Sequence, residues 1–533
     1  MARINYLALF LIVVSPIAQA ESPARLAKRI DHSLQNEVFD QHSQAEQLKL
    51  APRTDDLAFM RRVWLDIVGD IPTPEEITAF ALDPTEEKRD RLVDRLLNDP
   101  HYGQNWARYW RDVIFFRAVD ERSQIATNAM ESDLGTWLNE GRAWSEIATE
   151  FITAHGDVQE VGGAAIMMAQ DGMTEETTAE VSRIFLGIQI QCAQCHDHPY
   201  DRWKRDQFHE LAAFFPRIAV RPVRELTQRS FEVVGTDRFG RKPPNNERFP
   251  TAEHMMPDLE DPQAPGTKME PKFFLTSAKV PWGTTDSARR TQLAQWLTEN
   301  EWFATAIVNR MWAELVGEGF YPNVEDIGPD RAPVAPKTVK LLSRKFQESG
   351  YDLKWLIKTI CATEAYQRES RPRRATDGTP FVANVPQRLR SDQLYNALLT
   401  AFDDDEEKPT RRRGPRANTS QRGRFAEVFA YDPSISREEA VSSIPQVLAL
   451  MNSPEIDLKT RGKRADLLET LISEIQQDDE LTTEIFLRTL GREPTHEELE
   501  AVKSYREEIA DRQIVFEDLA WSLVNTTEFQ HRK

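Results

Sequence analysis

Cysteine is nearly absent from this chain, with three residues in 533. That excludes a disulfide scaffold, which exported domains build from many paired thiols. An excess of base is missing too: 67 Lys and Arg stand against 86 Asp and Glu, a formal net charge of -19. Such an exterior does not suit nucleic acid, whose phosphates need a positive surface, and it favours basic protein partners. Beyond the N-terminus no apolar run reaches the roughly twenty residues of a spanning helix. Three catalytic signatures are also lacking: a Gly-Xaa-Ser-Xaa-Gly elbow, a phosphate-binding glycine loop and a His-Glu-Xaa-Xaa-His helix. Hydrolase, kinase and zinc-protease chemistry therefore have no positive support, and enzymatic activity is left open.

What is present is a globular composition, 40% hydrophobic and 29% charged, long enough for several domains. The N-terminus reads as a secretory signal over residues 1–20. Arg3 gives a basic start, Tyr6 to Val14 an apolar core, and Ala18-Gln19-Ala20 a small-Xaa-small cleavage site. The apolar core is about half of what a membrane anchor needs. The expected destination is the periplasm or the exterior, with no membrane span after cleavage.

Hydrophobic periodicity predicts a mainly α protein of two helical domains joined by a Pro/Gly-rich region with a few short β-strands. The first domain is expected over residues 21–216. Leu57, Met60, Arg61, Trp64, Leu65 and Val68 recur at helical steps up to Gly69, and Thr73-Pro74-Glu75-Glu76 opens the next helix with a capping box. Glu180, Val181, Ile184, Phe185 and Ile188 predict a helix running straight into Cys192; Phe208 to Phe215 predict another just after it. Residues 217–282 form the linking region, with strands expected at Phe231–Val234 and Phe273–Leu275 and a hairpin around Gly235 to Gly240. Residues 283–533 form the second helical domain, interrupted at about 403–424 by acidic and arginine blocks that predict a mobile charged loop. Pro494-Thr495-His496-Glu497-Glu498-Leu499 echoes the capping sequence at Thr73.

The chemistry concentrates in Cys192-Ala193-Gln194-Cys195-His196. Two thiols three apart followed at once by an imidazole is the arrangement that attaches a c-type haem: Cys192 and Cys195 form thioethers and His196 ligates iron. A sixth ligand would come from Met167, Met168, Met173, His209, His254, Met255 or Met256, or the position stays open. The same atoms, with His198 added, offer two thiolates and two imidazoles for zinc or another transition metal. A third reading is a Cys192 to Cys195 disulfide in an exported interaction or scaffold protein. Cys361, in an apolar-periodic run, reads as a buried structural thiol.

The stretch Ile184 to Trp203, together with Phe208 and Ala212-Ala213-Phe214-Phe215, resembles the secreted planctomycete-type cytochrome c-like domain. Arg62-Val63-Trp64-Leu65-Asp66-Ile67-Val68-Gly69 and Pro72 to Glu76 fit the same domain. The later half is similar to the second domain of unknown function that follows it in such chains. That likeness is carried by Arg289-Arg290, Leu293 to Leu297, Ile307-Val308-Asn309-Arg310-Met311-Trp312, Gly350 to Ile357 and Asp518 to Phe529. The resemblance implies an exported protein with haem c at the motif and an unknown redox partner protein. It assigns no activity.

Overall fold

The computed structural model describes residues 21–42, 49–223, 230–236, 253–261, 263–373, 378–402, 421–429, 432–433, 446, 448 and 466–533. The signal segment lies outside them, as does the charged loop up to residue 420. Residues 421–424 of that loop open the helix Gln421–Phe429. The fold is mainly α, about 60% helical with 7% in short strands.

Local chemistry explains several helix ends. Thr73 caps Pro74–Leu82, accepting from the Glu76 amide while the Glu76 carboxylate accepts from the Thr73 amide, and Thr495 with Glu498 repeats this for His496–Glu508. The aromatic helix Pro100–Phe115 buries Trp106, Tyr109, Trp110, Val113 and Ile114, so its aromatic stripe is core. Trp110 stacks on Trp144 at 4.6 Å. That helix meets Thr127–Asn139 at paired glycines, where a Cβ on Gly103 would lie 2.1 Å from the Gly135 carbonyl oxygen. Only glycine permits this approach.

Two expectations are corrected. The helix before the motif, Thr174–Leu186, does not run into Cys192; Gly187 ends it at φ +64°, a left-handed cap that side-chain-bearing residues avoid. Phe273–Leu275 is not a strand. The chain turns there, the Phe273 carbonyl accepting from the Ser277 amide at 2.8 Å with Ser277 at φ +61°, and Phe273 and Phe274 are buried. Aromatic content reported burial at these positions, and the turn backbone supplied the shape. Ser230–Gly235 is a strand, paired antiparallel to Ile218–Val223 and to Gly156–Asp157. The expected hairpin around Gly235 to Gly240 lies mostly outside the described residues.

One continuous apolar core runs from Leu26 to Val382. It takes in Phe231, Val233, Phe273, Phe274 and Val280 from the middle of the chain, and Leu293, Ile307 and Trp312 from the later half. A second core combines Leu65 and Ile71 with Leu394, Leu398, Phe486, Phe516 and Phe529. Polar groups tie the same halves together. The Arg532 guanidinium donates to Asp66 at 2.6 Å, and the Tyr366 hydroxyl donates to the other Asp66 oxygen at 2.8 Å. Arg62, fully buried beside them, donates to the Tyr366 and Arg368 carbonyls. Cys361 is buried near this cluster, and burial pushes its thiol pKa well above the ordinary range. That thiol is inert packing.

Candidate functional site

After Gly187 the chain crosses Ile188 and Ile190, both buried, and tightens into a 3₁₀ turn over Gln191–Gln194. The buried side chain of Ala193 plugs this turn into the core, and its amide donates to the Ile190 carbonyl at 2.9 Å. With Ala193 inward, Cys192 and Cys195 point outward as exposed free thiols. His196 is exposed as well, and its Nδ1 lies 2.7 Å from the Asp197 carbonyl oxygen. A carbonyl only accepts, so Nδ1 is the donor, and in the neutral ring the lone pair lies on Nε2. An imidazole fixed in that tautomer is ready to ligate a metal through Nε2.

The next residues form a polar brace. Asp197 accepts from the Lys204 ammonium at 2.9 Å and from the Arg205 amide at 3.1 Å, and these bonds hold its carboxyl below the usual range. His198 serves the loop: its amide donates to the Trp203 carbonyl at 2.8 Å, and its Nδ1 accepts from the Tyr200 amide at 3.3 Å. Trp203 is buried, edge-on to Phe274 at 5.0 Å.

Beneath the turn lie two histidines, His209 from the helix Arg205–Ala212 and His254. Their rings stack at 5.0 Å, and Nδ1 of His209 is 2.8 Å from Nε2 of His254. His209 Nε2 lies 3.0 Å from the Gln194 carbonyl oxygen. The carbonyl fixes the direction of this chain: His254 donates to His209, which donates to Gln194. Burial lowers both pKa values to about 4, so both rings are neutral at physiological pH.

The residues named from sequence therefore separate. Cys192, Cys195 and His196 share one exposed turn. Of the candidate sixth ligands, Met167 and Met168 are fully buried in the core, and His209 and His254 are committed to one another. Met173 and Met255 are exposed and Met256 is half-buried. Among the described residues no group of three or more His, Cys, Asp or Glu side chains converges as a metal set. The donor set at the turn, two unpaired thiols and an imidazole with a free Nε2, fits covalent haem attachment.

Sequence reasoning missed the residues of the later half that hold the chain on either side of this turn. Glu325 is fully buried and accepts from Arg183 and from Arg310, the latter at 3.0 Å, with Arg117 at 3.3 Å. Burial alone would raise the Glu325 pKa; these guanidiniums outweigh it and hold the carboxyl below its ordinary value. The Ile327 amide donates to the Gly187 carbonyl at 2.8 Å. Asp330 accepts from the Arg202 amide at 2.9 Å and from its guanidinium at 2.9 Å, and Arg331 donates to the Tyr200 carbonyl at 3.2 Å. Partial burial and the neighbouring Asp330 raise the Asp201 pKa, while Arg202 lowers that of Asp330. In sequence, Glu325 to Arg331 reads only as a Gly-Pro turn with mixed charge.

Residues 30–220 match the family PSCyt2, described as Protein of unknown function (DUF1549), and residues 289–434 match PSD1, described as Protein of unknown function (DUF1553). The two matched regions follow one another without overlap. No curated protein and no solved structure matches it. The motif lies near the end of the PSCyt2 region, and Glu325 to Arg331 lies inside the PSD1 region. Among the described residues no helix is long and apolar enough to cross a membrane.

Proposed function

We propose that this chain is an exported c-type haem protein with a single-electron transfer role. Cys192 and Cys195 would hold the cofactor by thioether bonds and His196 would ligate its iron. The observation that carries the reading is the presentation of both free thiols and a tautomer-fixed imidazole from one exposed turn whose intervening residue, Ala193, is anchored in the core. Bound haem c would supply a one-electron couple, with a potential set by the axial ligands and by solvent exposure. The protein's own contribution is to anchor the turn through Ala193, orient the His196 ring through its Nδ1 bond to the Asp197 carbonyl and offer Met173 or Met255 from the exposed surface. Its acidic exterior favours a basic redox partner protein.

Expression of the full chain together with haem-attachment machinery tests this reading. The expected product keeps its visible absorbance bands after denaturation and gains the mass of one haem. Cys195→Ala should lose the thioether at that position and with it most of the covalent colour. A colourless product of apoprotein mass overturns the proposal. Metal analysis and thiol titration of that product then separate a zinc site at Cys192, Cys195, His196 and His198 from a Cys192 to Cys195 disulfide.

A further inference from the structure

The segment Glu325 to Arg331 touches the chain on both sides of the cysteine motif. Upstream, Glu325 pairs with Arg183 on the last turns of Thr174–Leu186, and the Ile327 amide bonds to Gly187, the residue that ends that helix. Gly328, at φ +142°, lies against Ile188 and Trp203. Only glycine adopts that backbone without strain, so the segment can lie flat across the base of the motif. Downstream, Asp330 takes the backbone amide and the guanidinium of Arg202, and Arg331 reaches the Tyr200 carbonyl while pairing with Asp326 at 3.1 Å.

We infer that Glu325 to Arg331 is a clasp by which the second domain fixes the position of the cysteine motif, with Asp330 and Arg331 as positioning residues for the loop that follows His196. This deepens the functional reading above and rests on it for the identity of the site, but the clasp is a property of the protein with or without cofactor. Glu325 forms its buried half. Asp330, exposed, and Arg331, half-buried, form an outer half that is removable without opening the core.

Hydrogen–deuterium exchange on the full chain, produced without haem-attachment machinery, tests the clasp. In Asp330→Ala and Arg331→Ala, peptides covering residues 196–204 should exchange about tenfold faster than in the parent, while peptides from Pro100–Phe115 and Glu301–Val316 keep their rates. Asp330→Glu, which keeps the carboxylate, should restore most of the protection. Unchanged exchange over 196–204 in both alanine variants overturns the clasp, as does acceleration spread evenly over the whole chain. The two ideas fail separately: faster loop exchange with a colourless product from the haem-attachment host keeps the clasp and rejects haem. A coloured product with unchanged loop exchange does the reverse.

Discussion

Two of the charged contacts between the later half of the chain and the earlier half differ in character. At Asp66 the contact is sealed: Arg532, Arg62 and Tyr366 are all buried around one carboxylate. At the motif the contact is open, since the Arg202 side chain keeps 54% of its exposure while bound to Asp330. Buried charges are costly to strand without a partner, whereas exposed pairs trade readily with water. The sealed contact therefore carries stability, and the open one sets geometry beside reactive groups.

Breaking the sealed contact should have the largest effect. Arg532→Ala strands Asp66, a fully buried carboxyl whose pKa burial already raises, and should cost about 3–5 kcal/mol in denaturant unfolding. A loss below about 1 kcal/mol would erase the distinction between the two contacts. Glu325→Gln comes next, at about 2–4 kcal/mol, because it removes the charge shared by Arg183 and Arg310. Glu325 is held below its ordinary pKa of 4.5, so its stabilisation is fully present above that pH and is lost as pH falls through the lower folded value. The variant should accordingly show a shallower loss of stability in acid.

The stacked histidines give an effect of the same sign. The unfolded chain takes up protons near pH 6.5, but the folded pair resists them down to about 4, so stability should fall as pH drops across that window, by about 1.4 kcal/mol per pH unit for each ring. His254→Phe with His209→Gln should flatten this dependence in thermal melts at pH 4.5 and 7.5. Smallest is Arg202→Ala at the open contact, which should move global stability by no more than about 1 kcal/mol. A larger loss would make this pair part of the framework and dissolve the comparison from the other side.

The helices and the motif were legible because their signals are local. Capping boxes at Thr73 and Thr495, the aromatic stripe from Trp106 to Ile114 and the cysteine spacing all lie within one or two turns. Gly187 was overlooked because the apolar pattern continues through Ile188 after the hydrogen-bonded helix has stopped. His209 and His254 drew attention as metal-ligating residue types. Their pairing depends on a contact across 45 residues, which no periodicity encodes. The clasp was invisible for the same reason, since Arg202 and Asp330 stand 128 residues apart.

The bond between Asp66 and Arg532 also fixes an order of events in time. Its partners are separated by 466 residues, so the pocket around Asp66 closes only after nearly the whole chain has become available. Loop closure over such a span is paid before its contacts form, which slows the final docking relative to the local helices. A chain emerging from its N-terminus during synthesis would thus present Cys192 and Cys195 while Asp66 still waits for its guanidinium, leaving an interval in which both thiols stand on an unfinished fold.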